Sequence, residues 1–215
     1  EMACPYTWAL AEKDRFTGST YSESGVRTTV IVGNTGYRGI SSLANEHGSD
    51  GTVYVATANM NCAKVEIRFP AGTRKPAVSQ IKASSGATAF LVMDKFDHGS
   101  IAYKTRSASL KSELLKAVLA ALKVENATDF RKWVKKCQRD TESLMTDRRI
   151  QSKRHKQGYQ NTVFRVRDDH GFDVTDYVVE FYSDVAKGAS DSVSEAFYRD
   201  ALEKVHAYKD NASLR

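Results

Sequence analysis

The sequence predicts an α/β chain, with part of a mostly parallel sheet and its flanking helices over residues 1–158 and a small, mostly β module over 159–215. Three observations predict it. The runs Thr28–Val32 and Ala87–Met93 are apolar without alternation, as strands buried on both faces are. Leu110, Leu114, Leu115, Val118, Leu119 and Leu122 recur at three- and four-residue spacing, the period of one helix face. Beyond Gly158 the pattern changes to the two-residue alternation of a half-buried strand.

Taken in order, Met2–Arg15 reads as a short amphipathic helix, followed by a loop rich in Ser, Gly and Thr over Thr17–Gly25. The strand Thr28–Val32 opens into a long Gly-rich loop, Gly33–Gly51, and loops of that length in a compact domain are usually functional. Thr52–Ala56 and Lys64–Phe69 are expected as two peripheral strands. Ala87–Met93 runs straight into the polar segment Asp94–Ser100, which holds a lone histidine, His98. The helix Leu110–Leu122 is expected to cover one sheet face. A second helix begins near Asn126–Asp129, where several side chains suit an N-cap, and buries Phe130, Trp133, Val134 and Cys137. In the β module, Thr162–Arg167, a turn at Asp168–Gly171 and Val174–Tyr182 read as a hairpin, and Lys209–Arg215 as the start of a further strand.

At 41% hydrophobic residues the 215-residue chain can bury a core. It holds no run of about 18 apolar residues and no basic, then apolar, leader at its start. Glu1 does not read as a natural first residue, so truncation is expected at both ends. Cys4, Cys62 and Cys137 lack metal-ligand spacing and are expected as small buried hydrophobes. The net charge of +6 is concentrated in Thr146–Gly158, through Arg148, Arg149, Lys153, Arg154 and Lys156. Only Tyr159 stands near them, which disfavours a nucleic-acid site, so no nucleic-acid partner is expected. The stretch is expected as a solvated linker, with contact to an anionic lipid surface as the lesser reading, ahead of nucleic acid.

The chemistry-bearing residues are Asp50, in Gly48-Ser49-Asp50-Gly51, and His98. Each stands in a loop after a strongly apolar strand. His47 is a rival base, three residues from Asp50, and Asp94 and Asp97 are rival partners for His98. The segment GYRGISSLANEHGSDGTVYVATANMN resembles the acid-loop region of bacterial lipase-like α/β-hydrolases, and FDHGSI resembles their histidine loop. NTVFRVRDDHGFDVTDYVVEFY resembles a β module appended in relatives of this type, some of them lipases delivered by secretion systems. The resemblance spans roughly Thr28–Arg215. It implies the C-terminal portion of an α/β-hydrolase, in which Asp50 is the acid and His98 the base of a Ser-His-Asp triad, whose chain order in this fold is serine, acid, histidine.

The family's nucleophile elbow, G-x-S-x-G, is absent: Ser22 and Ser24 lie in YSESG, and Ser84 and Ser85 in ASSGA. The serine and its oxyanion-hole amides are therefore expected upstream of Glu1, in an N-terminal part of the same protein, and the chain alone is expected to be inert. The resemblance implies a serine-dependent carboxylic ester hydrolase acting on an ester or lipid, with no cofactor and export without a cleaved signal peptide. The alternative, of a different class, is a non-catalytic module that binds a protein or an anionic lipid surface.

Overall fold

The computed structural model describes residues 5–73, 75–151, 161–174, 176, 177, 213 and 214. The basic residues Lys153, Arg154 and Lys156, the hairpin arm beyond Tyr177, Lys209–Ala212 and Cys4 lie outside the described residues. The chain forms two compact units, residues 11–160 and residues 1–10 with 161–215.

The larger unit is built on two parallel strands, β1 (Thr29–Gly33) and β4 (Ala89–Met93), in register from Thr29 opposite Ala89 to Gly33 opposite Met93. Between them the chain makes a 3-10 helix (Gly39–Ala44), a single helical turn α2 (Val55–Ala58), and the strands β2 (Ala63–Arg68) and β3 (Ala77–Ala83). After β4 follow the short α3 (His98–Ile101), α4 (Ala108–Leu122), α5 (Ala127–Thr146) and α6 (Arg148–Gln151). Helices and small sheets are thus mixed, as the two apolar runs and the two periodic stretches predict.

The core lies between β4 and α5. Phe130, Trp133 and Cys137, spaced three and four apart, place one face of α5 against Ala89, Leu91 and Met93, with Phe96 and Leu114 completing the cluster. Two polar bonds fix this packing. The Trp133 indole donates to Thr29 Oγ1 at 3.0 Å. Thr141 Oγ1 accepts from Val92 N at 3.1 Å and donates to Phe90 O at 3.2 Å, so the helix satisfies backbone groups on the outer edge of β4. Asn126 is the N-cap of α5, accepting from Asp129 N at 3.0 Å.

Three expectations need correction. Thr52–Ala56 is not a strand: Asp50 Oδ1 draws Thr52 N and Val53 N into a turn, and Val55 starts α2. Cys62 is exposed rather than buried, because it stands at the foot of the projecting β2–β3 ribbon, whereas Cys137 is fully buried. In α4 the packed side is Leu110, Leu114, Ala117 and Ala121, while Leu115, Leu119 and Leu122 face outward. The helix is apolar on more than one side, so spacing alone does not reveal which side packs. The partner strand β3 escaped sequence reading because its Ser, Gln and Lys break the apolar pattern.

The helix α1 (Pro5–Ala11) lies in the smaller unit as far as Leu10, and a π-helical turn, Glu12–Thr17, follows it in the chain. The expected hairpin turn is present at Asp168–Gly171, with Arg167 bridged to Asp173 and Val174 N bonded to Val166 O. Phe164–Arg165 (β5) pairs antiparallel with Ser213–Leu214 (β6), within the chain end expected to be a strand.

Candidate active site

Parallel pairing brings the C-terminal ends of β1 and β4 side by side, so the loops leaving them share one edge of the sheet, where α/β proteins place ligands. The contact is close. A Cβ added at Gly33 would lie 2.1 Å from the carbonyl oxygen of Phe96, and Thr35 N donates to that same oxygen at 3.0 Å. Lys95, at φ 68°, turns the chain out of β4. Phe96 then enters the core with no exposure, and Asp97 and His98 emerge beside the first loop.

That first loop is laced by its own side chains. Asn45 accepts from Tyr37 N and donates to Tyr37 O, both at 2.8 Å, and Tyr37 Oη bonds Thr52 Oγ1 at 2.9 Å. Gly51 has φ 100° and abuts the Tyr37 ring, leaving no room for a side chain. The result is a tight turn that holds Asp50 at 1% exposure.

The two loops meet through Asp50 and His98. Asp50 Oδ1 accepts from Thr52 N at 3.0 Å and Val53 N at 2.7 Å, which fixes the carboxylate plane. Oδ2 then lies 3.1 Å from His98 Nδ1. Backbone reinforces side chain, since His98 N donates to Asp50 O at 2.8 Å. The His98 side chain is 43% exposed against 2% for that of Asp50, so the imidazole spans from a buried carboxylate to the surface. Among the described residues its Nε2 has no hydrogen-bond partner.

The rival assignments find other positions. Asp97 is the N-cap of α3, its Oδ1 accepting from Ser100 N at 2.7 Å and Ser100 Oγ at 2.8 Å. His47 keeps its Nδ1 buried without a hydrogen-bond partner. The serines near the pair in sequence serve local structure: Ser49 Oγ donates to Glu46 O and accepts from Gly51 N, and Ser100 Oγ bonds Asp97. The acid loop also presents two apolar side chains that sequence reasoning passed over, Ile40 and Leu43, each 90% exposed and on one side of the 3-10 turn.

An imidazole whose Nδ1–H is held by a buried carboxylate presents Nε2 as a proton acceptor, in a tautomer set by the acid. Such a pair has the geometry with which an imidazole can act as a general base. Among the described residues no group of three or more His, Cys, Asp or Glu side chains is arranged to hold a metal ion.

No family model matches the chain, and no curated protein matches it. Among solved structures it is similar to the phospholipase PlaB of Legionella pneumophila, at a TM-score of 0.62 and 22% identity over 82% of this chain. The same phospholipase in complex with thio-NAD gives a TM-score of 0.60 and 22% identity over 80% of this chain. The chain spans 40% of the length of that phospholipase. At this identity the likeness establishes a shared, lipase-like fold over the matched part.

Proposed function

We propose that this chain carries the acid and base of a serine-dependent carboxylic ester hydrolase, a lipase or phospholipase, with Asp50 as acid and His98 as base. The observation that carries the reading is the 3.1 Å approach of Asp50 Oδ2 to His98 Nδ1 across two loops 48 residues apart. His98 Nε2 takes the proton of a serine hydroxyl as it attacks the ester carbonyl, then returns it to the departing alcohol. Asp50 holds the imidazole in the needed tautomer and stabilises the imidazolium. Water repeats the cycle on the acyl-enzyme.

The nucleophile belongs to a segment upstream of Glu1. Thr141 occupies the outer edge of β4, so further strands of the sheet, with the serine turn at the end of one of them, have their place beside β1. The fold shared with a phospholipase favours a lipid ester, as do Ile40 and Leu43 exposed on the acid loop itself. The test is labelling of the full-length protein with a fluorophosphonate probe, followed by intact mass. An adduct on a serine upstream of this chain, lost on His98→Ala, supports the reading. An unlabelled full-length protein defeats it in favour of a binding module.

A further inference from the structure

The Asp50 carboxylate and the His98 imidazole stand on loops that leave different strands, so their 3.1 Å approach needs each loop held against the other as well as within itself. The turn at Asp50 is closed locally. Asp50 N donates to Val53 O at 3.0 Å, Asp50 Oδ1 accepts from Thr52 N and Val53 N, and Ser49 Oγ accepts from Gly51 N. These bonds orient the carboxylate relative to its own turn. They leave open where that turn sits relative to the histidine loop.

A path through Tyr37 supplies that position. Thr35 N donates at 3.0 Å to the carbonyl oxygen of Phe96, which precedes His98 in the histidine loop, so the outgoing arm of the acid loop is fastened to its neighbour. Further along the same arm, Tyr37 Oη bonds Thr52 Oγ1 at 2.9 Å, and Thr52 N is one of the donors to Asp50 Oδ1. The Tyr37 ring also lies against Gly51, where a Cβ would stand 2.7 Å from the ring Cδ2. By these bonds and the short runs of chain between them, the path leads from His98 through Phe96, Thr35, Tyr37 and Thr52 to Asp50, and closes where Asp50 meets His98.

Tyr37 can serve as that brace only if its own backbone is fixed, and Asn45 fixes it. The Asn45 carboxamide accepts from Tyr37 N and donates to Tyr37 O, both at 2.8 Å, the exchange that opposed residues of antiparallel strands make through their backbones. Asn45 N meanwhile donates to Ser42 O at 3.2 Å, ending the 3-10 turn. The arm is shaped around the carboxamide. A Cβ at Gly36 would lie 2.4 Å from its carbon, 2.5 Å from Nδ2 and 2.6 Å from Oδ1. Gly36 has no positive φ, so the close approach of this amide is what excludes a side chain there. We propose that Asn45 and Tyr37 are positioning residues, which set the acid turn against the histidine loop so that Asp50 Oδ2 meets His98 Nδ1 before a substrate arrives. Their effect on catalysis rests on the hydrolase reading, whereas their hold on the imidazole does not.

The test uses the full-length protein and reads both ester hydrolysis and the exchange of the His98 Nδ1 proton with solvent by NMR. Tyr37→Phe keeps the ring on Gly51 and removes only the hydroxyl bond, and is expected to lower kcat about threefold to tenfold with KM little changed. Thr52→Val is expected to do the same, and Thr52→Ser, which restores a hydroxyl, to recover most of the loss. Tyr37→Phe with Thr52→Val should lose no more than either alone, because both break one bond. Asn45→Ala removes two part-buried bonds and is expected to lower kcat about tenfold or more. In each impaired variant the Nδ1 proton should exchange faster than in the wild type. Ser42→Ala breaks a bond in the same loop but outside this path, and is expected to leave both readouts unchanged. Wild-type kcat and proton exchange in Tyr37→Phe would overturn the inference by showing that the turn at Asp50 is self-sufficient. So would an equal loss in Ser42→Ala, or additive losses in the double variant. A wild type that fails to react with fluorophosphonate defeats the hydrolase reading, and the proton exchange rates then judge the positioning by themselves.

Discussion

Replacing Asp50 by Asn changes one atom and tests the whole chain of reasoning from loop to imidazole. The carboxylate accepts two backbone amides on Oδ1 and faces His98 Nδ1 with Oδ2. An asparagine must keep its single oxygen toward Thr52 N and Val53 N, because two N–H donors cannot face its NH2 group. The NH2 is thereby aimed at Nδ1, which must give up its proton to accept from it. The neutral imidazole changes tautomer and Nε2 becomes protonated, so it no longer accepts from a hydroxyl. Exchange of a charged for a neutral acceptor costs roughly 1 kcal/mol for each of two amide bonds. We therefore expect a loss of about 2 kcal/mol in stability, and a fall of about 10³- to 10⁴-fold in ester hydrolysis by the full-length protein. Long-range ¹H–¹⁵N correlation of the His98 ring reads the tautomer directly in this chain. Denaturant unfolding reads the stability. An unchanged tautomer in Asp50→Asn would refute the argument.

Three further outcomes follow from the packing. Gly33→Ala sets a methyl 2.1 Å from the Phe96 carbonyl oxygen, backbone that cannot step aside, and is expected to cost about 2–4 kcal/mol in denaturant unfolding. It should also perturb the His98 ring signals, since Phe96 leads directly into the histidine loop. Thr141→Val removes the hydroxyl that satisfies Val92 N and Phe90 O, and should cost about 2 kcal/mol by the same assay, with helix content intact. Burial pushes the Cys137 thiol up from 9.0 to about 12, so raising the pH to 8 leaves it protonated, whereas an ordinary thiol is then about a tenth thiolate. Peptide mapping after a thiol-disulfide reagent at pH 8 should find exposed Cys62 modified in the native chain and Cys137 modified only after denaturation.

The sequence by itself marked the two parallel strands, the two long helices and the two loops that hold Asp50 and His98, because an unbroken apolar run and a 3.6-residue period leave local signatures, although β1 is only partly buried over Thr29–Ile31. The resemblance carried by its motifs pointed to His98 as base and Asp50 as acid, with Asp94 and Asp97 as rival partners of the imidazole, since all three are acids within reach of some fold. Only tertiary structure shows which carboxylate lies against the imidazole: Asp50. The parallel register of β1 with β4 sets the two loops together, Asp97 is taken up as the cap of α3, and the Asp50 carboxylate is oriented by amides two and three residues on. The same holds for surfaces. Periodicity marks α4 as apolar but cannot tell which of its apolar sides packs. The exposed apolar patch on the β2–β3 ribbon was invisible because it depends on a bulge at Ser79 and on the cross-strand pairing of Val65 with Ile81 and Ile67 with Val78. Local pattern records how each segment would like to bury itself, whereas the meeting of two loops, and the side of a ribbon left to face outward, are properties of the assembled chain.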